Sequence, residues 1–160
     1  NAGIEAALIE AIGDAKTSIQ IAMFSFFSQP IAEALLRAKD RGVKVSVVMD
    51  RSQSALSKID DWFAWHGIDL RVLSGPDRAR DPRYQKMHNK FALFDGKMLE
   101  SGSFNYSTRA DTLSFENANF FDDADEIARF AAYFLQMFER GAAPKPPKRE
   151  PKWAVPASDA

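Results

Sequence analysis

The feature that most limits what this chain can fold into is a regular alternation of two hydrophobic periods through its first half. Ile4, Leu8, Ala11, Ile12 and Ala15 recur at helical spacing, and residues 18–26 follow as a strand-like run. Pro30 suits a first helical turn; Ile31, Ala34, Leu35 and Ala38 make the next apolar stripe, and Gly42 suits its exit. Residues 43–49 are rich in β-branched side chains and read as an inner strand. Leu56, Ile59, Phe63 and His66 share one helical face ahead of Gly67, and residues 68–73 return as a strand. Strands separated by helical crossovers predict an α/β domain with a largely parallel sheet and helices packed on it.

The second half has a different grammar. Residues 74–86 form a loop rich in Pro, Gly and Arg. Residues 88–94 and 97–101 read as two strands joined by Asp95-Gly96, a strong hairpin signal because both central positions of a type I′ turn need positive φ. Residues 116–121 read as a further strand. A last helix is expected over about residues 123–140, with Ile127, Phe130, Ala131, Phe134 and Phe138 inward and Gly141 at its end. Beyond it Pro144, Pro146, Pro147, Pro151 and Pro156, with interspersed lysines, describe an extended tail that also carries Trp153. The organisation is therefore one domain over residues 1–141 and a Pro/Lys-rich tail over 142–160, with no internal repeat.

Composition excludes more than it specifies. The chain has no cysteine, so neither a disulfide framework nor a thiolate metal site is available. No apolar run reaches the ~20 residues that a membrane-spanning helix needs. The chain opens at Asn1 without a leader, which leaves the compartment open. A net charge of −1 is not that of a protein that coats nucleic acid. Between residues 71 and 90, however, six cations (Arg71, Arg78, Arg80, Arg83, Lys86, Lys90) face two anions, Asp77 and Asp81. The run reads either as a solvated loop or as an electrostatic guide for an anionic substrate.

That run ends on the segment that carries chemistry. Side chains alternate along a strand, so His88 and Lys90 share one face while Phe91 and Leu93 share the other. An imidazole beside an ammonium suits a phosphoryl group, one group attacking phosphorus and the other holding an oxygen. Ser103 and Asn105, at the end of the partner strand, can complete the cradle. The spacing of His88, Lys90, Asp95, Gly102, Ser103 and Asn105 resembles the HxKx4Dx6GSxN signature of the phospholipase D superfamily without departure. Lys16-Thr17-Ser18-Ile19, the AKDRGVKV run at residues 38–45 and Glu116-Asn117 extend the likeness to the superfamily's short bacterial endonucleases.

The resemblance implies a mixed, largely parallel sheet with helices on both faces. It implies that His88 is a nucleophile forming a phosphohistidine, that Lys90 and Asn105 bind non-bridging oxygens, and that Glu116 hydrogen-bonds the far imidazole nitrogen. Ser103, Gly102 and Arg109 are the expected substrate contacts. Asp95 is accounted for as a turn residue paired with Gly96. No cofactor or metal is called for. One motif supplies one histidine while the reaction needs a nucleophile and an acid, so the resemblance further implies a homodimer with a shared site. The expected substrate is nucleic acid, in particular single-stranded DNA. Membrane phospholipid is the rival substrate, and a non-catalytic nucleic-acid-binding module the other alternative. A periplasmic or secreted setting accompanies the resemblance.

Other candidates have structural explanations. His66 sits at a helix end, where a cation suits the dipole. Asp122, Asp123, Asp125 and Glu126 lie at a helix start, where carboxylates meet free N–H groups. Trp62 and Trp65 are expected to cover the core.

Overall fold

The computed structural model of the chain describes residues 3–76 and 85–151. In chain order the elements are α1 (Ile4–Asp14), β1 (Ser18–Met23), α2 (Gln29–Asp40), β2 (Lys44–Asp50), α3 (Arg51–Ser57), α4 (Ile59–Trp65), β3 (Asp69–Leu73), β4 (Lys90–Phe94), β5 (Met98–Gly102), α5 (Thr108–Thr112), β6 (Ala118–Phe121) and α6 (Ala124–Arg140). The strands form one sheet in the order β3-β2-β1-β4-β5-β6. Sheet and helices make the mixed α/β architecture expected, but the sheet is not largely parallel. β1–β2 and β2–β3 are parallel, whereas β1–β4, β4–β5 and β5–β6 are antiparallel. The physical reason is the hairpin: helical crossovers stop at β3, and Asp95-Gly96 reverses the chain with φ of 55° and 62°.

Helices cover both faces. On one, Ile19, Ile21 and Met23 of β1, Val45, Val47 and Met49 of β2, and Ala92 and Phe94 of β4 pack with the inner sides of α1, α2 and α4. On the other, Ala22, Val48, Phe91, Leu93 and Leu99 meet Ile127, Phe134 and Met137 of α6. Local chemistry starts and stops these helices. Ser28 Oγ accepts from Ile31 N at 3.2 Å to open α2, with Pro in the first turn. Asp123 does the same for α6, accepting from Glu126 N at 2.8 Å, the structural role expected of that acidic cluster.

One helical face is drawn differently from the expectation. Leu56 and Ile59 belong to separate helices, because Lys58 between them adopts φ 53°. Ser57 Oγ donates to Ser54 O at 3.3 Å and accepts from Ile59 N at 3.4 Å, a local pattern that competes with continued helix. Ile59 and Phe63 are buried as expected, while Leu56 is 65% exposed. Trp62 packs on the core and against His66, whose ring centroid lies 4.3 Å away at the end of α4. Past α6, Ala142 forms an antiparallel bridge to Val72, N–H to O at 2.9 and 3.0 Å, so the start of the tail lies along the outer edge of β3.

Candidate active site

The candidate site lies at the seam between the two kinds of pairing. β1 ends at Met23, which is opposite Lys90, the first residue of β4. Phe24 N then donates to Asn89 O at 2.8 Å, so the chain leaving β1 is tied to the residue between His88 and Lys90. His88 precedes β4, and Met87 N donates to Asp50 Oδ2 at 3.0 Å. Asp50 is buried at the end of β2, and its other oxygen caps α3 by accepting from Ser52 and Gln53 N. Three strand ends thus fix where the histidine begins.

His88 and Lys90 do share a face. Lys90 Nζ lies 3.3 Å from His88 Nδ1 and donates to His88 O at 3.2 Å. Asn89 points the opposite way and donates to Tyr133 Oη on α6 at 3.2 Å. Burial, and then the Lys90 ammonium, lower the His88 pKa below its usual range, with Asp50 opposing them. Burial also lowers Lys90, against the pull of Glu116. The lowered His88 value favours the neutral imidazole, the form with a lone pair to donate.

The second side of the site is the turn after β5. Ser103 Oγ donates to Glu116 Oε2 and accepts from Asn117 N at 3.1 Å, while Ser103 N donates to Asn117 Oδ1 at 2.9 Å. These bonds clamp the loop before β6 onto Ser103 and bring Glu116 to bear on Lys90. Gly102 is explained by this clamp: a Cβ there would sit 2.1 Å from Asn117 O. Its place in the signature thus follows from close backbone approach, with no substrate contact required. Asn105 has a buried amide oxygen without a partner among the described residues. A group so placed is available to a ligand, in either orientation of the amide. Arg109 stands exposed on α5, outside this hydrogen-bonded group.

The family described as "Cardiolipin synthase, PLD-like domain" matches residues 8–138. The chain belongs to the phospholipase D superfamily. Among solved structures of similar shape are NucT from Helicobacter pylori (TM-score 0.79, 28% identity, 86% of this chain and 89% of that one) and Nuc from Salmonella typhimurium, described as a phospholipase D family member (0.75, 29%, 88% and 90%). Relatives in sequence include proteins named mitochondrial cardiolipin hydrolase, from Chlamydomonas reinhardtii (30% identity over 132 residues) and Homo sapiens (34% over 134 residues). The chain spans 56% and 48% of their respective lengths and gives 82% and 83% of its own to the matches. A protein named phospholipase D from Rickettsia typhi is 29% identical over 144 residues, 89% of this chain and 65% of that one.

Within this phospholipase D-like frame, several residues singled out in the sequence have structural contacts, Asp95 as expected. Asp95 accepts from Lys16, Thr17 and Ser18 N and from the Thr17 hydroxyl, at 2.8–3.1 Å, and so ties the hairpin turn to the start of β1. Its modest burial would raise its pKa, but these donors outweigh that and hold the carboxyl well below the usual range. Arg71 is withdrawn from the cationic guide: it pairs with Asp69 and lies 4.5 Å over the Phe138 ring. Lys86 donates to Ser52 Oγ at 2.8 Å. Arg78, Arg80 and Arg83 fall outside the described residues, as does Trp153. Two contributors escaped the sequence reading. Asp50 carried a visible signal, an acid followed by Arg-Ser at a strand's end, which is an N-cap pattern. Phe24 carried none, since it reads as one more apolar residue in a strand.

Proposed function

We propose that the chain is a metal-independent phosphodiesterase acting on nucleic acid, single-stranded DNA in particular, through a covalent intermediate on His88. The observation that carries the reading is the placing of Lys90 Nζ 3.3 Å from His88 Nδ1, on one face at the sheet's seam. A phosphoryl oxygen that takes over Lys90 leaves the imidazole free to attack. Its lone pair forms the N–P bond, the P–O bond to the leaving group breaks, and the departing oxygen takes a proton from a general acid. Water then attacks phosphorus, giving its proton to that same group, now a base; the N–P bond breaks and the imidazole recovers its lone pair. Lys90 and Asn105 balance the charge that builds on the non-bridging oxygens, with Ser103 and Glu116 holding the cradle. The route asks nothing of a metal.

The general acid is assigned to His88 of a second copy, making the working unit a two-fold homodimer. Two features support this: a single motif histidine per chain, and the exposure of Leu113 (76%) and Phe115 (105%) next to Glu116. Lipid is the second reading. It is favoured by the names of the sequence relatives, and the same exposed apolar pair suits a bilayer surface.

The deciding assay incubates the purified protein, with and without excess EDTA, with labelled single-stranded DNA, duplex DNA, RNA and cardiolipin-containing vesicles. Cleavage of the single strand that survives EDTA is the expected outcome. Lipid hydrolysis with every nucleic acid intact would replace the substrate and keep the chemistry. Activity that returns only with added Mg²⁺ or Zn²⁺ would remove the covalent route.

A further inference from the structure

From the packing around His88 and Lys90 we infer that Phe24 is a positioning residue, holding the two reactive side chains in register and keeping water from one side of the imidazole. The inference rests on the proposed role of His88 and goes beyond the motif, to which Phe24 does not belong. Its ring centroid lies 4.4 Å from that of His88, tilted by 48°, and Lys90 Nζ lies 5.3 Å from the same centroid. One half-buried side chain thus touches both groups, and its backbone N–H is bonded to Asn89 O between them. Both contacts have consequences. A ring face within about 6 Å attracts an ammonium, which steers Lys90 toward the imidazole rather than into solvent. Aromatic packing limits the rotation of an otherwise exposed histidine and removes water from it, and loss of water favours the neutral form. Among the described residues, the charged groups bearing on His88 are Lys90 on β4 and Asp50 at the end of β2, with Glu116 acting through Lys90. Replacing Phe24 removes none of these charges, and a Lys90 released from the ring toward solvent raises the His88 midpoint in the same sense as the water that enters.

The test uses the intact protein and a convenient count: the chain has two histidines, and His66 at the end of α4 serves as the internal control. Proton NMR titration of the imidazole signals, assigned with His88→Ala, is compared for wild type, Phe24→Leu, Phe24→Ala and Phe24→Tyr. In the Leu and Ala variants the His88 midpoint should rise by about half a pH unit or more while His66 stays in place. On a labelled single-stranded oligonucleotide, kcat should fall about tenfold with KM changed less than about threefold, the pattern of lost positioning. Phe24→Tyr, which keeps the ring, should restore both. Phe24→Leu nearly preserves volume, so it carries the test if Phe24→Ala does not fold. A His88 titration in Phe24→Leu that superimposes on wild type, with kcat within about twofold, overturns the inference. An oligonucleotide uncut by wild type sinks the substrate reading instead and leaves the titration able to decide this one.

Discussion

Strands β1 and β2 are parallel and buried over nearly their whole length, whereas the antiparallel strands run outward to β6, where Asn119, Phe120 and Phe121 are exposed. The two edges differ in the same sense. The outer edge of β3 is bridged by Ala142, while Phe120 and Phe121 on β6 remain 40% and 43% exposed. A parallel pair cannot be closed by a turn, so its connections must be helices, and α2 and α4 cover one face of the sheet while α6, after β6, covers the other. A hairpin needs no cover of that kind, and it can deliver polar side chains to a sheet end. The parallel half therefore supplies burial and the antiparallel half supplies reactive groups, with His88, Lys90 and Phe24 where they join.

The division is broken most directly by exchanging the consequences of two substitutions. His88→Ala should lower turnover by at least about a thousandfold, because a covalent nucleophile is lost, and leave the thermal midpoint nearly unchanged, because the side chain is exposed. Leu70→Ala, in a residue of β3 that is 2% exposed, should cost about 2–5 kcal/mol of stability with normal kcat per folded molecule. Activity assays paired with urea unfolding read both numbers. A His88→Ala protein that keeps a tenth of its rate would remove the chemistry from the hairpin.

Asp95 belongs to the hairpin but works for the scaffold. Its carboxylate receives donors 77 to 79 residues earlier in the chain, closing the antiparallel half onto the entrance of β1. Asp95→Ala should cost about 2 kcal/mol, since hydrogen bonds to a charged group are the stronger kind. Turnover per folded molecule should be nearly preserved. The folded-state pKa is depressed, so the Asp95 contribution is present above about pH 4, the unfolded value, and is lost as pH falls through the folded one. Wild type and variant should accordingly converge in stability in acid; equal stability of the two at pH 7 would show that the tether contributes nothing.

What could be read from the chain alone follows the same boundary. The helices and inner strands of the parallel half announce themselves through apolar periods, and Pro30, read as a first-turn residue, lies in the first turn of α2. The hairpin was equally legible, because Asp-Gly chemistry is local. Relations between distant segments were not. Nothing near Asp95 in the chain indicates that Lys16, Thr17 and Ser18 converge on it. Asp50 was not singled out, and even its cap pattern would not have shown that its second oxygen reaches Met87 across 37 residues. The break at Lys58 was hidden because Leu56 fits the helical stripe and only the serine hydroxyls speak against it. β5 was anticipated as a strand, but the burial of its central acid was not, since an acid in a strand ordinarily faces water.

That acid, Glu100, gives the mildest of the expected effects and runs against the usual direction of mutation. It is 1% exposed, on the sheet face that carries Phe94 and Ala92, and Tyr106 Oη donates to its Oε2 at 3.4 Å. Burial raises its pKa to about 8, only partly offset by that bond, and burial also keeps the Tyr106 phenol protonated well beyond its usual range. Between the unfolded value near 4.5 and about pH 8 the folded protein therefore holds a proton that the unfolded chain releases. Folding stability must fall as pH climbs through that window, and it is fully kept below it. Glu100→Gln keeps the shape and an oxygen to accept from Tyr106, but has nothing to ionise. It should match wild type near pH 4.5 and exceed it at pH 8 by about 1 kcal/mol or more, read as a midpoint roughly 2–4 °C higher in thermal unfolding. Because Tyr106 follows Asn105, the same substitution tests whether the antiparallel half transmits strain to the cradle: kcat should be unchanged at pH 6, where both proteins are neutral at this position. A midpoint difference that stays constant from pH 4.5 to 8 would mean that Glu100 is already ionised in the fold, and the buried neutral acid would have to be abandoned.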